Sequence, residues 1–176
     1  IQDPAIDLYH EPNFIPWMCD RPTVITIHDL SWIRHPETHP HDRVEWLNKH
    51  ILKAIEQANQ IISISDFVTD EIKEVFGDYL SPKITRVYNG VSDSYQPFNP
   101  ELHQSILDNY GLKARGYFLA LGTLEPRKNL STVVHSYSRL PASIQKRYPL
   151  VIAGHRGWLN HELDQALAAI PKEYVR

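Results

Sequence analysis

The sequence predicts an α/β protein with Rossmann-like parallel sheets and flanking helices, and three observations carry that prediction. Short β-branched runs bounded by Gly, Pro, Asn, Asp or Ser recur along the chain, amphipathic helical stretches lie between them, and one aperiodic, proline-bearing segment divides the pattern. Strand–helix–strand alternation implies parallel pairing with right-handed crossovers, because each helix returns over the sheet it has just left.

In chain order, Ile6–Tyr9 and Thr23–Ile27 read as the first two strands. Val44, Leu47, Ile51, Ile55 and Ala58 then step by three and four, marking one face of a helix. Gln60–Ile64 is the third strand, Ser65 an N-cap, and Val68, Ile72 and Val75 the buried stripe of the helix it starts. Ile84–Tyr88 is the fourth strand. From Asn89 to Pro100 no period survives, and Pro97 and Pro100 favour an extended linker. Beyond it, Tyr117–Leu121 and Leu150–Ala153 read as strands, and Leu130, Val133, Tyr137 and Leu140 as a helix face. Cutting at the linker assigns residues 1–97 to one Rossmann-like domain and 98–176 to another. A doubly wound sheet usually has about five or six strands, so each reads as a partial domain. The chain begins with Ile1 and its sole methionine is Met18, so it is expected to be a processed product or a piece of a longer protein.

Composition narrows the function classes. Hydrophobic residues make up 42% and charged residues 22%, which suits a core-forming chain and excludes disorder. A net charge of −3 leaves no basic field for general nucleic-acid binding. The single cysteine, Cys19, rules out an internal disulfide and a cysteine-rich zinc site, and fits a cytoplasmic setting. No apolar run approaches the roughly 20 residues that span a bilayer, which leaves a peripheral contact with the inner membrane face open.

The segment Tyr117-Phe-Leu-Ala-Leu-Gly-Thr-Leu-Glu-Pro-Arg-Lys-Asn-Leu130 places a strand, a glycine turn and a helix start in succession. Ligands of open parallel sheets collect beyond such strand ends. Arg127 and Lys128, in or just before the first turn of the helix begun by Pro126 or Asn129, oppose the helix dipole, and a bound phosphate would offset that opposition. The alternative is two solvated cations with Glu125 as a local ion-pair partner. Gly122 followed by four residues and Arg-Lys-Asn has a P-loop outline, but Arg127 replaces its glycine and Asn129 its magnesium-binding hydroxyl, so metal-free anion binding is favoured.

Gly-Thr-Leu-Glu-Pro-Arg-Lys-Asn at 122–129, Thr-Ile-His-Asp-Leu-Ser at 26–31 and Val-Tyr-Asn-Gly-Val at 87–91 together resemble the retaining nucleotide-sugar glycosyltransferases of family four, which have the GT-B fold. The resemblance covers essentially the whole chain, with the motifs in the family's order. It implies that residues 1–97 are the later part of the acceptor-side domain and 98–176 the opening of the donor-side domain, with the active site between them. It further implies that Arg127 and Lys128 grip the donor diphosphate and that His28 points at the transferred sugar as a catalytic residue, although a histidine after the strand Thr23–Ile27 reads first as a packing residue. Asp29, Gly122 and Gly154 are further candidate substrate contacts. Asp29 also reads as a turn cap, and Gly154-His-Arg-Gly-Trp158 as a tight turn into a helix after Asn160.

The partners implied are a nucleotide-sugar donor, mannosyl by resemblance, and a glycan or lipid-linked acceptor; no cofactor and no metal are expected. The family's opening glycine-rich loop and its paired glutamates fall outside residues 1–176, so little turnover is expected of this chain alone. A non-enzymatic nucleotide-sugar-binding module and a GT-B sugar-nucleotide epimerase are the competing readings. His35, His39 and His41 with Glu37 suggest a metal site, but Pro36 and Pro40 prevent a ligand-presenting helix, so a solvated or acceptor-contacting loop is expected. Trp17, Trp32 and Trp46 read equally as an acceptor platform, a membrane contact or core.

Overall fold

The computed structural model describes residues 6–176, which divide into two compact units between Ser92 and Asp93. The sequence-based cut lies after residue 97. Both units are α/β with wholly parallel sheets.

The first unit holds a four-stranded sheet in chain order, with β1 at Tyr9–Glu11, β2 at Thr23–Ile27, β3 at Gln60–Ser63 and β4 at Ile84–Arg86. β1 starts later than the expected Ile6, where its register opposite β2 begins with Tyr9 against Thr23. Thr23, Ile25, Thr26 and Ile27 are all buried, as befits a β-branched strand covered on both faces. Helices α1 (Ser31–Arg34), α2 (His41–Gln57) and α3 (Asp66–Phe76) complete the unit. α2 buries Leu47, Ile51, Ala54 and Ile55, the stripe its period predicts. α3 begins where Ser65 Oγ accepts from Val68 N at 3.2 Å and ends at Gly77, whose φ of +111° suits glycine. Trp32 belongs to this core, with its indole nitrogen donating to Asn48 Oδ1 at 3.2 Å, whereas Trp17 and Trp46 are exposed.

In the second unit β5 (Phe118–Leu121) pairs with β6 (Leu150–Ala153), Phe118 opposite Leu150 and Leu121 opposite Ala153. Around them run α4 (Pro100–Asn109), α5 (Leu130–Ser138), α6 (Ala142–Arg147) and α7 (His161–Ala168). Pro100 is the first residue of α4, where proline's missing N–H costs nothing. The buried face of α5 is Leu130, Val134 and Tyr137; Val133, expected to face inward, is 38% exposed while Val134 is fully buried. Steps of three and four both fit a helix stripe, and adjacent valines left the choice to tertiary packing. The Tyr137 hydroxyl sits among the carbonyls of Gln145, Tyr148 and Tyr174 at 3.1–3.2 Å, tying α5 to α6 and to the C-terminal segment. Burial raises the pKa of this phenol. Among the described residues no helix is long and apolar enough to cross a membrane.

Candidate functional site

In the first unit the candidate site lies at the carboxyl end of β2, where ligands of open parallel sheets collect. Ile27 is buried and His28 half-buried, so the chain leaves the core at this histidine. His28 Nε2 lies 2.8 Å from the Pro12 carbonyl oxygen, and its ring meets Phe14 edge-on with centroids 6.0 Å apart. A carbonyl oxygen only accepts, so Nε2 carries the proton and a neutral His28 offers Nδ1 as an acceptor for a ligand hydroxyl. Asp29 caps the turn: its Oδ1 accepts from Ser31 N at 2.9 Å and from Ser31 Oγ at 2.6 Å. Because Ser31 gives its one hydroxyl proton to that carboxylate, His39 Nε2, 2.9 Å from Ser31 Oγ, is the donor there.

His39 is therefore buried and bonded, a correction to the solvated loop expected for residues 35–41. The tight turn Pro36–Thr38 folds it back onto α1. His35, His39 and His41 form no common ligand set among the described residues; the group with metal-ligand spacing is His41, Asp42 and Glu45, exposed at the start of α2. A groove of about 590 Å³ adjoins Asp29 and Ser31, walled by Arg34, Phe67, Asp70 and Glu71. Arg34 spans Glu71 at 3.2 Å and Glu74 at 2.7 Å, with Glu71 buried.

In the second unit two turns continue the strands past the end of the sheet and lie against each other. Gly122 N donates to Ala153 O at 3.0 Å, Leu124 N to His155 O at 2.8 Å and Gly157 N to Leu124 O at 3.0 Å. Side chains are excluded between them: a Cβ on Gly154 would lie 1.9 Å from Gly122 O, and one on Gly157 2.8 Å from Leu124 O. Gly157 was not singled out from the sequence, although its Gly-x-x-Gly spacing with Gly154 was the available signal.

Arg127 and Lys128 lie in the short turn Pro126–Lys128, followed by Asn129 at φ +50°, and α5 starts only at Leu130. They thus precede the helix instead of occupying its first turn. Arg127 Nη2 donates to Glu125 Oε1 at 2.7 Å, and Glu125 is buried, so the local ion pair is present and anchored in the core. Lys128 makes no ion pair among the described residues; its aliphatic stem passes Gly122, where a Cβ would lie 3.7 Å from Lys128 Cε. The tools for anion binding at this strand end are two side-by-side glycine turns, a guanidinium fixed by a buried carboxylate, and an exposed ammonium.

The family model "Glycosyltransferase Family 4" matches residues 1–95. The chain belongs to glycosyltransferase family 4. Curated relatives extend the family match into the second unit. "O-antigen chain mannosyltransferase B" of Escherichia coli is 38% identical over 159 residues, covering 90% of this chain and 41% of that protein. "Serotype-specific mannosyltransferase WbdA" of Escherichia coli is 33% identical over 144 residues, 79% of this chain and 17% of that protein. This family 4 chain thus spans less than half the length of the relatives it matches. Its parallel α/β units are those of a GT-B glycosyltransferase.

Proposed function

We propose that the protein is a retaining glycosyltransferase that moves a hexosyl group, mannosyl by analogy with the names of its relatives, from a nucleotide-sugar to a glycan or lipid-linked acceptor. The observation that carries this reading is the pair of apposed glycine turns beside Arg127 and Lys128 at the carboxyl end of β5 and β6. Cleaving a glycosyl donor breaks the bond between the anomeric carbon and the diphosphate oxygen, and negative charge accumulates on the leaving diphosphate. Fixed cations stabilise that charge without a metal ion, and none is expected. His28, with Nε2 committed to Pro12 O, offers Nδ1 to a hydroxyl of the transferred sugar. Asp29 supports the turn that follows, Gly122 allows backbone to approach phosphate beside Lys128, and Gly154, packed on Gly122 O, holds that turn in place. A lipid-linked acceptor would bring the protein to the inner face of the membrane as a peripheral partner.

Calorimetric titration of the full-length protein with nucleoside diphosphates tests this reading. Arg127→Ala plus Lys128→Ala should weaken binding by about one to two orders of magnitude per lost charge-assisted contact. Absent binding, or binding indifferent to both changes, would remove these residues from the donor site. Product analysis with a glycan acceptor then separates transfer from donor hydrolysis or epimerisation.

A further inference from the structure

The turn that follows β1 grips the end of β2 at three points. Phe14 N donates to Thr26 O at 3.1 Å, His10 Nε2 lies 2.9 Å from Thr26 Oγ1, and the Pro12 carbonyl accepts from His28 Nε2 at 2.8 Å. Phe14 is the strained member: it adopts φ +67°, is only 5% exposed, and sets its ring edge-on to both His28 and Trp32, with centroids 6.0 and 5.1 Å away. Left-handed backbone at a bulky residue persists only where the surroundings over-determine it, and such positions gather at functional sites.

The Pro12 carbonyl is itself held in place. It shares one planar trans peptide with the Asn13 N–H, which points the opposite way and donates to Glu11 Oε1 at 3.0 Å. The other oxygen of that carboxylate accepts from the Tyr9 hydroxyl at 2.7 Å. Burial first, and then this bond, raises the pKa of the phenol, so Tyr9 remains a donor. A hydrogen-bonded line thus runs from Tyr9 through the Glu11 carboxylate and the Pro12–Asn13 peptide to the ring of His28. A carboxylate on the N–H side fixes the plane of the peptide, so the carbonyl keeps its aim, and it polarises the C=O that receives the histidine N–H.

We propose that Glu11 is a positioning residue for glycosyl transfer: through the Pro12–Asn13 peptide it fixes the ring and the Nε2–H tautomer of His28, and so holds Nδ1 as the acceptor for a hydroxyl of the transferred sugar. The proposal rests on the role given to His28 above and adds the group that sets its orientation.

The experiment uses the full-length protein with Glu11→Ala, Glu11→Gln and Tyr9→Phe. Turnover is measured with nucleoside diphosphate mannose as donor, affinity by titration with the nucleoside diphosphate, and the His28 ring N–H by proton NMR, its signal assigned by its absence from His28→Ala. Glu11→Ala should lower kcat by about ten- to a hundredfold, the scale of a misplacement of about 1 Å at a reacting group, and leave nucleoside diphosphate affinity within about twofold. Its ring N–H should lose protection from solvent exchange. Glu11→Gln keeps an oxygen for Asn13 N and should recover both the rate and the protected signal. Tyr9→Phe releases the other side of the carboxylate while keeping the ring, should give a smaller loss of the same kind, and carries the test if Glu11→Ala does not fold. Turnover and affinity falling together, equal losses in Glu11→Gln and Glu11→Ala, or an unprotected ring N–H in the unaltered protein overturns the proposal. The N–H signal is read without substrate: if no sugar is transferred, the function proposed above fails, and the hold of Glu11 on His28 stands or falls by that signal alone.

Discussion

Gly154 is the most constrained glycine of the second unit, because a methyl group there would lie 1.9 Å from Gly122 O and 2.7 Å from the Gly122 carbonyl carbon. Both obstacles are backbone, so no side chain can swing aside. Gly154→Ala should cost about 3 kcal/mol, the upper part of the overpacking range, and should weaken nucleoside diphosphate binding as the two turns separate. Gly90→Ala is the control: nothing lies within 4 Å, and chemical denaturation should show it neutral or stabilising by about 0.4–1 kcal/mol. The two cations divide in the same way. Arg127→Ala leaves the buried Glu125 without its guanidinium, so it should lower stability by about 1–2 kcal/mol, discounted because Arg127 is one-third exposed. Lys128→Ala should change stability by no more than about 0.5 kcal/mol and act on binding alone. Denaturation curves beside titrations of the two variants would show this split; equal stability losses would contradict it.

Elements carry a different kind of information, since a helix is set by its cap and its buried face more than by single contacts. Ser65 Oγ holds the Val68 amide at the start of α3, and Ser65→Ala should cost about 1 kcal/mol in a denaturant titration. On α5, Val134→Ala should cost about 2 kcal/mol and Val133→Ala no more than about 0.5, reversing the order the sequence stripe implies. Near α7, the hydrogen bond from Arg156 holds the Asp164 carboxyl below its ordinary value, and the pair is bidentate at 3.0 and 2.5 Å. A depressed carboxylate contributes stability above its unfolded pKa and loses it as pH falls through the folded one. Asp164→Asn should therefore flatten the acid limb of the stability profile, slightly, because both groups are exposed. The strands were legible because β-branched runs between turn residues have few other solutions, and β2, β3, β5 and β6 fall within a residue of their expected limits. The inward valine of α5 and the burial of His39 and of Glu125 were not legible, because each depends on what packs opposite, although the pairing of Glu125 with a neighbouring cation was. Of the candidate site, the sequence could supply a strand end and its cations; the apposition of Gly154 to Gly122 required the parallel register of β5 and β6.

At the scale of the whole chain, the two units have separate cores, one around Ile25, Trp32, Ile61 and Ile72 and the other around Val134, Tyr137, Leu150 and Leu163. Between them, every residue from Thr85 to Leu102 is exposed, and no helix or strand forms between Arg86 and Pro100. An exposed backbone without ladder or helix hydrogen bonds can enter a protease active site without unfolding anything else. Tyr88, Tyr95 and Phe98 give chymotrypsin three cleavage points there, with 63%, 79% and 47% of their surfaces accessible. Limited digestion should cut this stretch first and yield two fragments of nearly equal size, dividing close to the Ser92–Asp93 boundary. Phe67 and Tyr79 are equally accessible aromatics, at 73% and 75%, but they lie in α3 and in the turn after it, where cleavage requires local unfolding. The rate ratio between the two classes of site thus separates accessibility from backbone freedom. Early cleavage after Phe67, at a rate matching that after Tyr95, would show that α3 opens as readily as the segment between the units and would contradict the stability assigned here to its cap.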